Sequence, residues 1–149
     1  MAKGRTKDRF FSVRFFDRIT SHISFLVEQE LARLGYGELR SSHFEIITYL
    51  LRKKEKTNMT DLARAIERKK STVTILIQKL ESLGLVQRDV SFIDKREWDV
   101  SLTKKCLLEK KKFFAISIKL LSLKTWGITE VEEKQLYLIL EQIYSKIKK

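Results

Sequence analysis

Apolar side chains recur every three to four residues along most of the chain and every second residue along one short part of it. Over residues 8–34, Phe16, Ile19, Ile23, Leu26, Val27, Leu31 and Leu34 share one face of a predicted helix, which Gly35 and Gly37 stop. A second helix follows in SSHFEIITYLL, with Ser42 and Glu45 as its expected capping box and Phe44, Ile47, Leu50 and Leu51 turned inward. Thr60 is the expected cap of a short helix, DLARAI, that buries Leu62, Ala63 and Ile66. A polar turn, ERKK, leads to a helix over about 71–83 with Val73, Leu76, Ile77, Leu80 and Leu83 inside and Gly84 at its end. Two short helices joined by a tight turn, with a third before them, make a tri-helical helix-turn-helix.

After Gly84 the period changes to two. Val86, Arg88 and Val90 alternate with polar neighbours, as do Trp98, Val100 and Leu102, and the charged loop SFIDKRE joins the two stretches into a wing. Thr103 opens a long helix to about Trp126, and TEVE at 129–132 is a capping box for a last helix. The expected fold is mainly α with a small two-stranded β-wing (α+β). A winged helix-turn-helix at 40–102 is flanked by helical regions at 8–35 and 103–149, within a single domain, 1–149.

The flanking helices carry more apolar surface than this module can cover. Phe113, Phe114, Ile116, Ile118, Leu120, Leu121, Leu123 and Trp126 occupy nearly every side of their helix. A helix that is apolar all round is buried all round, so a second copy of the chain is expected to complete a two-fold dimer through the first and the last two helices.

Charge then narrows the partner. Thirty-one Lys and Arg against nineteen Asp and Glu leave a net charge of +12 on 149 residues, which favours a polyanion, nucleic acid before an acidic membrane surface. One cysteine forms no internal disulfide and fits a reducing cytosol. The basic N-terminal segment lacks the apolar run of a signal peptide, and the run around FFAISI is too short to span a bilayer. A cytoplasmic, nucleoid-associated protein without membrane contact is expected.

The second helix of a helix-turn-helix sets its N-terminal residues against base edges in the major groove. Lys69, Lys70, Ser71, Thr72 and Thr74 stand there. Lysines neutralise phosphates or donate to guanine, hydroxyls reach phosphates or base edges, and a threonine methyl touches a thymine methyl. The competing reading, a solvated helix start capped by Ser71, accounts for one hydroxyl but not for the clustering, and Lys79 is spaced to reach flanking backbone. In the wing loop, Lys95 and Arg96 face a narrow minor groove, with Asp94 expected to hold the Arg96 guanidinium. Phe92 and Ile93 are expected to pack beneath the wing. Double-stranded DNA is the partner these residues suit.

These segments resemble the MarR (multiple antibiotic resistance regulator) family of winged helix-turn-helix transcriptional regulators. MTDLARAIERKKSTVTILIQKLESLGLV is similar to that family's short Leu-Ala helix, turn and recognition helix, IDKREWDVSLTKK to its Asp-x-Arg wing, and WGITEVEEKQLYLILEQI to its closing helix. The resemblance implies a homodimer on a pseudo-palindromic operator, usually a repressor, released by a small phenolic or lipophilic effector or by oxidation. The chain departs from the pattern with Glu67 and Arg68 where glycine and an apolar residue are frequent, Ile75 where a base is common, Gln78 where an acid is common and Cys106 for a frequent glycine.

Catalysis finds no foothold. His22 and His43 are far apart, with no metal-ligand spacing, phosphate loop or nucleophile set, so no enzyme, cofactor or metal is expected. Cys106 reads as a buried, inert thiol rather than a redox sensor. The competing reading is a winged-helix protein that coats DNA without sequence preference or binds another protein.

Overall fold

The computed structural model of the protein describes residues 11–148. The basic segment before them, with the first residues of the predicted first helix, lies outside the described residues. Helix α1 (Phe11–Arg33) buries Val27 and Leu31 and ends in a turn at Gly35, whose φ of 89° is left-handed. Helix α2 (Ser41–Lys53) is capped differently from the sequence expectation. Its cap is Arg40 rather than Ser42, and the reciprocal bond comes from His43, whose Nδ1 accepts from the Arg40 amide at 2.9 Å. Glu45 lies two residues beyond the position that role requires and instead holds Arg68 at 3.1 Å.

Strand β1 (Thr57–Asn58) leads into α3 (Met59–Ala65). The cap here is Asn58, whose Oδ1 accepts from the Asp61 amide at 2.7 Å, leaving the Thr60 hydroxyl free for another task. Glu67 turns the chain with a φ of 54°, the left-handed geometry that a glycine would take without strain. Helix α4 (Lys70–Ser82) therefore starts where the helix-turn-helix requires it, capped at Lys69 without a side-chain bond, so Ser71 is not the cap. Gly84, with a φ of 68°, redirects the chain into β2 (Val86–Val90), which pairs antiparallel with β3 (Trp98–Leu102).

The wing holds one strand more than the two expected. Order β1-β3-β2 sets Thr57 opposite Val100 and Asn58 opposite Asp99, a pairing too short to leave an alternating signature in sequence. The expected long helix is also divided. Thr103 caps α5 (Lys104–Leu108), its Oγ1 accepting from the Cys106 amide at 3.2 Å, and the chain kinks at Glu109 before α6 (Lys110–Leu121). The kink brings the Glu109 carboxylate under Tyr36, whose hydroxyl donates to it at 2.8 Å. A 3-10 turn (Leu123–Trp126) precedes α7 (Glu130–Ile147), where the Thr129 and Glu132 capping box forms as expected.

One core joins these elements. Leu31, Leu39, Ile46, Ile47, Leu62, Ile77, Leu80, Leu85, Val100 and Phe113 are all fully buried. Helix α6 splits its apolar residues between two faces. Phe113, Ile116 and Leu120 enter this core, while Phe114, Ile118 and Leu121 remain outside it. Helix α7 buries no residue, and α1 leaves Phe15, Phe16, Ile19 and Phe25 exposed. His22 meets the Trp126 ring edge-on at 6.2 Å.

Candidate nucleic-acid interface

The start of α4 projects from the module because Val73, Leu76, Ile77 and Leu80 anchor the opposite side in the core. Lys69, Ser71 and Thr72 are exposed there. None of the three side chains has a hydrogen-bond or ion-pair partner among the described residues. The Thr74 hydroxyl is turned back onto its own helix and donates to the Lys70 carbonyl at 2.9 Å, a common local bond for threonine in a helix.

The two remaining cations of the helix are engaged within the chain. The Lys70 ammonium donates to Glu97 Oε1 at 2.7 Å and to Thr60 Oγ1 at 3.0 Å, and the Thr60 hydroxyl donates to the same Glu97 oxygen at 3.0 Å. Lys79 pairs with Glu38 at 2.6 Å. The first cluster unites α3, α4 and the base of the wing loop. The Lys70 ammonium, then the Thr60 hydroxyl, hold the Glu97 carboxyl below the usual glutamate range against a smaller opposing effect of burial.

The wing loop is closed by its own backbone. Ser91 N donates to Glu97 O at 2.9 Å, and Glu97 N to Asp94 O at 2.9 Å. Asp94 shapes this turn, but not as the sequence suggested. Its Oδ1 accepts from the Arg96 backbone amide at 2.9 Å, so the acid fixes the loop and leaves the guanidinium unheld. Lys95 and Arg96 stand exposed at the tip without ion-pair partners among the described residues. Phe92 and Ile93 do not pack beneath the wing. They are 98% and 96% exposed, because Ser91, whose side is buried, takes the inward position at the loop's base.

Sequence reasoning missed Thr60, Glu97 and Glu38, which decide what Lys70 and Lys79 can reach. The partners lie 10, 27 and 41 residues from their lysines, beyond any local pattern. It also passed over the outward positions Ile75 and Gln78 as site residues, although both fall at helical spacing from Ser71.

Residues 39–98, spanning the helix-turn-helix and the wing loop, match the model of the MarR family. A comparison with curated protein sequences gives no match. Solved structures show the same fold over nearly the whole chain. The S. aureus MepR–DNA complex superposes with a TM-score of 0.80 at 21% identity, covering 90% of this chain and 96% of that one. AbsC, a MarR family transcriptional regulator from Streptomyces coelicolor, gives 0.79 at 20% identity with 96% of each chain covered. A mutant MarR from E. coli complexed with operator DNA gives 0.77 at 18% identity, covering 94% and 99%. Here the matched segment lies between α1 on one side and α5–α7 on the other. Among the described residues, no helix is long and apolar enough to cross a membrane and no cluster of His, Cys, Asp or Glu could hold a metal ion.

Proposed function

We propose that the protein is a sequence-specific DNA-binding transcriptional regulator, acting as a homodimer on a pseudo-palindromic operator and most simply as a repressor. The observation that carries this reading is the exposed start of α4, with Lys69, Ser71 and Thr72 unpartnered, set beside a wing whose Lys95 and Arg96 are also unpartnered, on a MarR family domain. The α4 start is the major-groove element, and the wing loop contributes phosphate and minor-groove contacts. MepR and MarR, which share this fold, are each known in complex with DNA. The 40–102 module is the DNA-binding part. The outward apolar faces of α1, α6 and α7 are the dimer surface, since exposed apolar area of this extent marks an interface.

One cleft supports release by an effector. A cleft of about 630 Å³ between the end of α2, β3 and the α5–α6 kink has Leu50, Leu102 and Phe114 in its lining, with three cations, Lys54, Lys56 and Lys110, against one carboxylate, Glu55, around it. A lipophilic or phenolic anion suits that combination, with apolar contact for its body and ammonium groups for its charge.

The test is selection of fragments from the source genome by the purified protein at about 150 mM salt, where nonspecific phosphate binding is weakened. Enrichment of one inverted repeat is the expected result. Binding without enrichment would replace this reading with nonspecific DNA coating, and no binding with a protein-interaction role.

A further inference from the structure

The two lysines of α4 reach solvent but are ion-paired within the chain. Lys70 is held at 2.7 Å by Glu97 and Lys79 at 2.6 Å by Glu38, which leaves Lys69, at the cap, as the cation without a partner among the described residues. The outward face is made of Thr72, Ile75 and Gln78, successive at three-residue spacing and so on neighbouring turns of one side. Thr72 and Gln78 have no hydrogen-bond partner among the described residues, and Ile75 is 66% exposed on a helix whose other large apolar residues are buried.

Resting on the DNA-binding reading above, we infer that α4 reads an A·T-rich half-site through the uncharged side chains of Thr72, Ile75 and Gln78, rather than guanines through Lys70. The chemistry of the groove assigns the partners. Guanine offers two acceptors, O6 and N7, and calls for a cation in bidentate contact. A lysine committed to Glu97 and Thr60 does not supply one, and withdrawing it leaves the Glu97 carboxylate, itself partly buried, without its counter-charge. Adenine offers N7 and the N6 amino group, the donor–acceptor pair that a glutamine amide matches. Thymine offers the C5 methyl, the apolar feature of the major groove, to which a side-chain methyl of Ile75 or Thr72 fits. Ile75 and Gln78 are separated by about 4.5 Å of helix rise, comparable with the ~3.4 Å step between base pairs, so the two address neighbouring pairs.

The experiment selects duplexes from a random 40-bp library with the full-length protein, then rebuilds the most enriched duplex with single modified bases. Deoxyuridine in place of thymine removes one methyl, and 7-deazaadenine removes N7. For the unsubstituted protein, anisotropy titrations should show binding weakened about four-fold by the critical methyl deletion, the scale of one buried methyl, and about five-fold or more by the critical N7 deletion. Ile75→Ala should become indifferent to the methyl, and Gln78→Ala indifferent to N7. Both positions are exposed, so circular dichroism should show unchanged folding. A half-site rich in G·C whose guanine preference is lost in Lys70→Ala would overturn this inference while sustaining the regulator reading. So would equal losses on modified DNA for the unsubstituted and substituted proteins. Failure to enrich any sequence would overturn both.

Discussion

The Lys70 ammonium lies 2.7 Å from Glu97 Oε1, joining the first turn of α4 to the base of the wing loop. The two elements that would enter adjacent grooves are therefore fastened together through charge as well as through the core. Thr60 completes the contact from the preceding helix. Glu97→Ala should leave the global unfolding midpoint nearly unchanged while loosening the wing. Amide exchange at Ser91 and at position 97, whose amides close the loop, should accelerate. The carboxylate's pKa is depressed below the ordinary 4.5, so its stabilisation is present above that value and lost as the pH falls through the lower folded value. Unchanged protection at both amides would show that the backbone alone holds the wing.

His43 gives the start of α2 a pH dependence of its own. Burial lowers its pKa below the usual 6.5; the charges of Lys79 and Arg40 lower it further and that of Glu28 raises it. A histidine kept neutral in the folded chain but free to protonate in the unfolded one stabilises fully above 6.5, and that stability is lost as the pH falls below it. Protonation also removes the Nδ1 acceptor from the cap. Thermal unfolding followed between pH 7.5 and 5.5 should therefore show a falling midpoint. His43→Gln keeps an acceptor at the capping-box position without titrating, and should flatten that part of the profile. An equally steep profile in His43→Gln would assign the pH dependence elsewhere.

Two phenylalanines should behave in opposite ways. Phe113 is fully buried where α6 meets the core and stacks near Tyr36 at 6.0 Å. Phe113→Ala should cost about 3–5 kcal/mol in denaturant unfolding. Phe92, almost fully exposed at the wing, should cost less than about 0.5 kcal/mol when replaced by alanine. A large loss for Phe92→Ala would mean that the wing packs as the sequence had suggested.

Much of the architecture is legible in the sequence because it rests on local chemistry. Val73, Leu76, Ile77 and Leu80 mark the buried side of α4, Gly84 its exit, and Thr129 with Glu132 the start of α7, each written within a few residues. What escaped depends on distant partners. Asn58 displaced Thr60 as a cap, freeing that hydroxyl for Glu97 and Lys70, and Glu109 broke the long helix where Tyr36 meets it. Two-residue β1 is defined by its pairing with β3 and by nothing in its own composition. In the candidate site, the residue types at the α4 start were legible, but which of their charges remain free was not.

Cys106 should be chemically silent in the folded protein. It is fully buried, and burial, reinforced by the Glu109 carboxylate, pushes its thiol pKa up to about 12. Thiolate is the reactive form, so iodoacetamide at pH 8 should label the chain only after denaturant is added. Rapid labelling of the native protein would reopen oxidation as a means of control.

Two recognition helices presented by one dimer should leave a paired footprint, read by hydroxyl-radical footprinting on the fragment enriched from the genome, with bound stoichiometry measured alongside. Two chains per fragment and two protected stretches about one helical turn apart, ~34–36 Å, are expected. Ile139→Glu, which places a charge on the exposed face of α7, should shift the chain to monomers and abolish the paired footprint. One chain per fragment with a single protected stretch, unaltered by Ile139→Glu, would contradict the dimer.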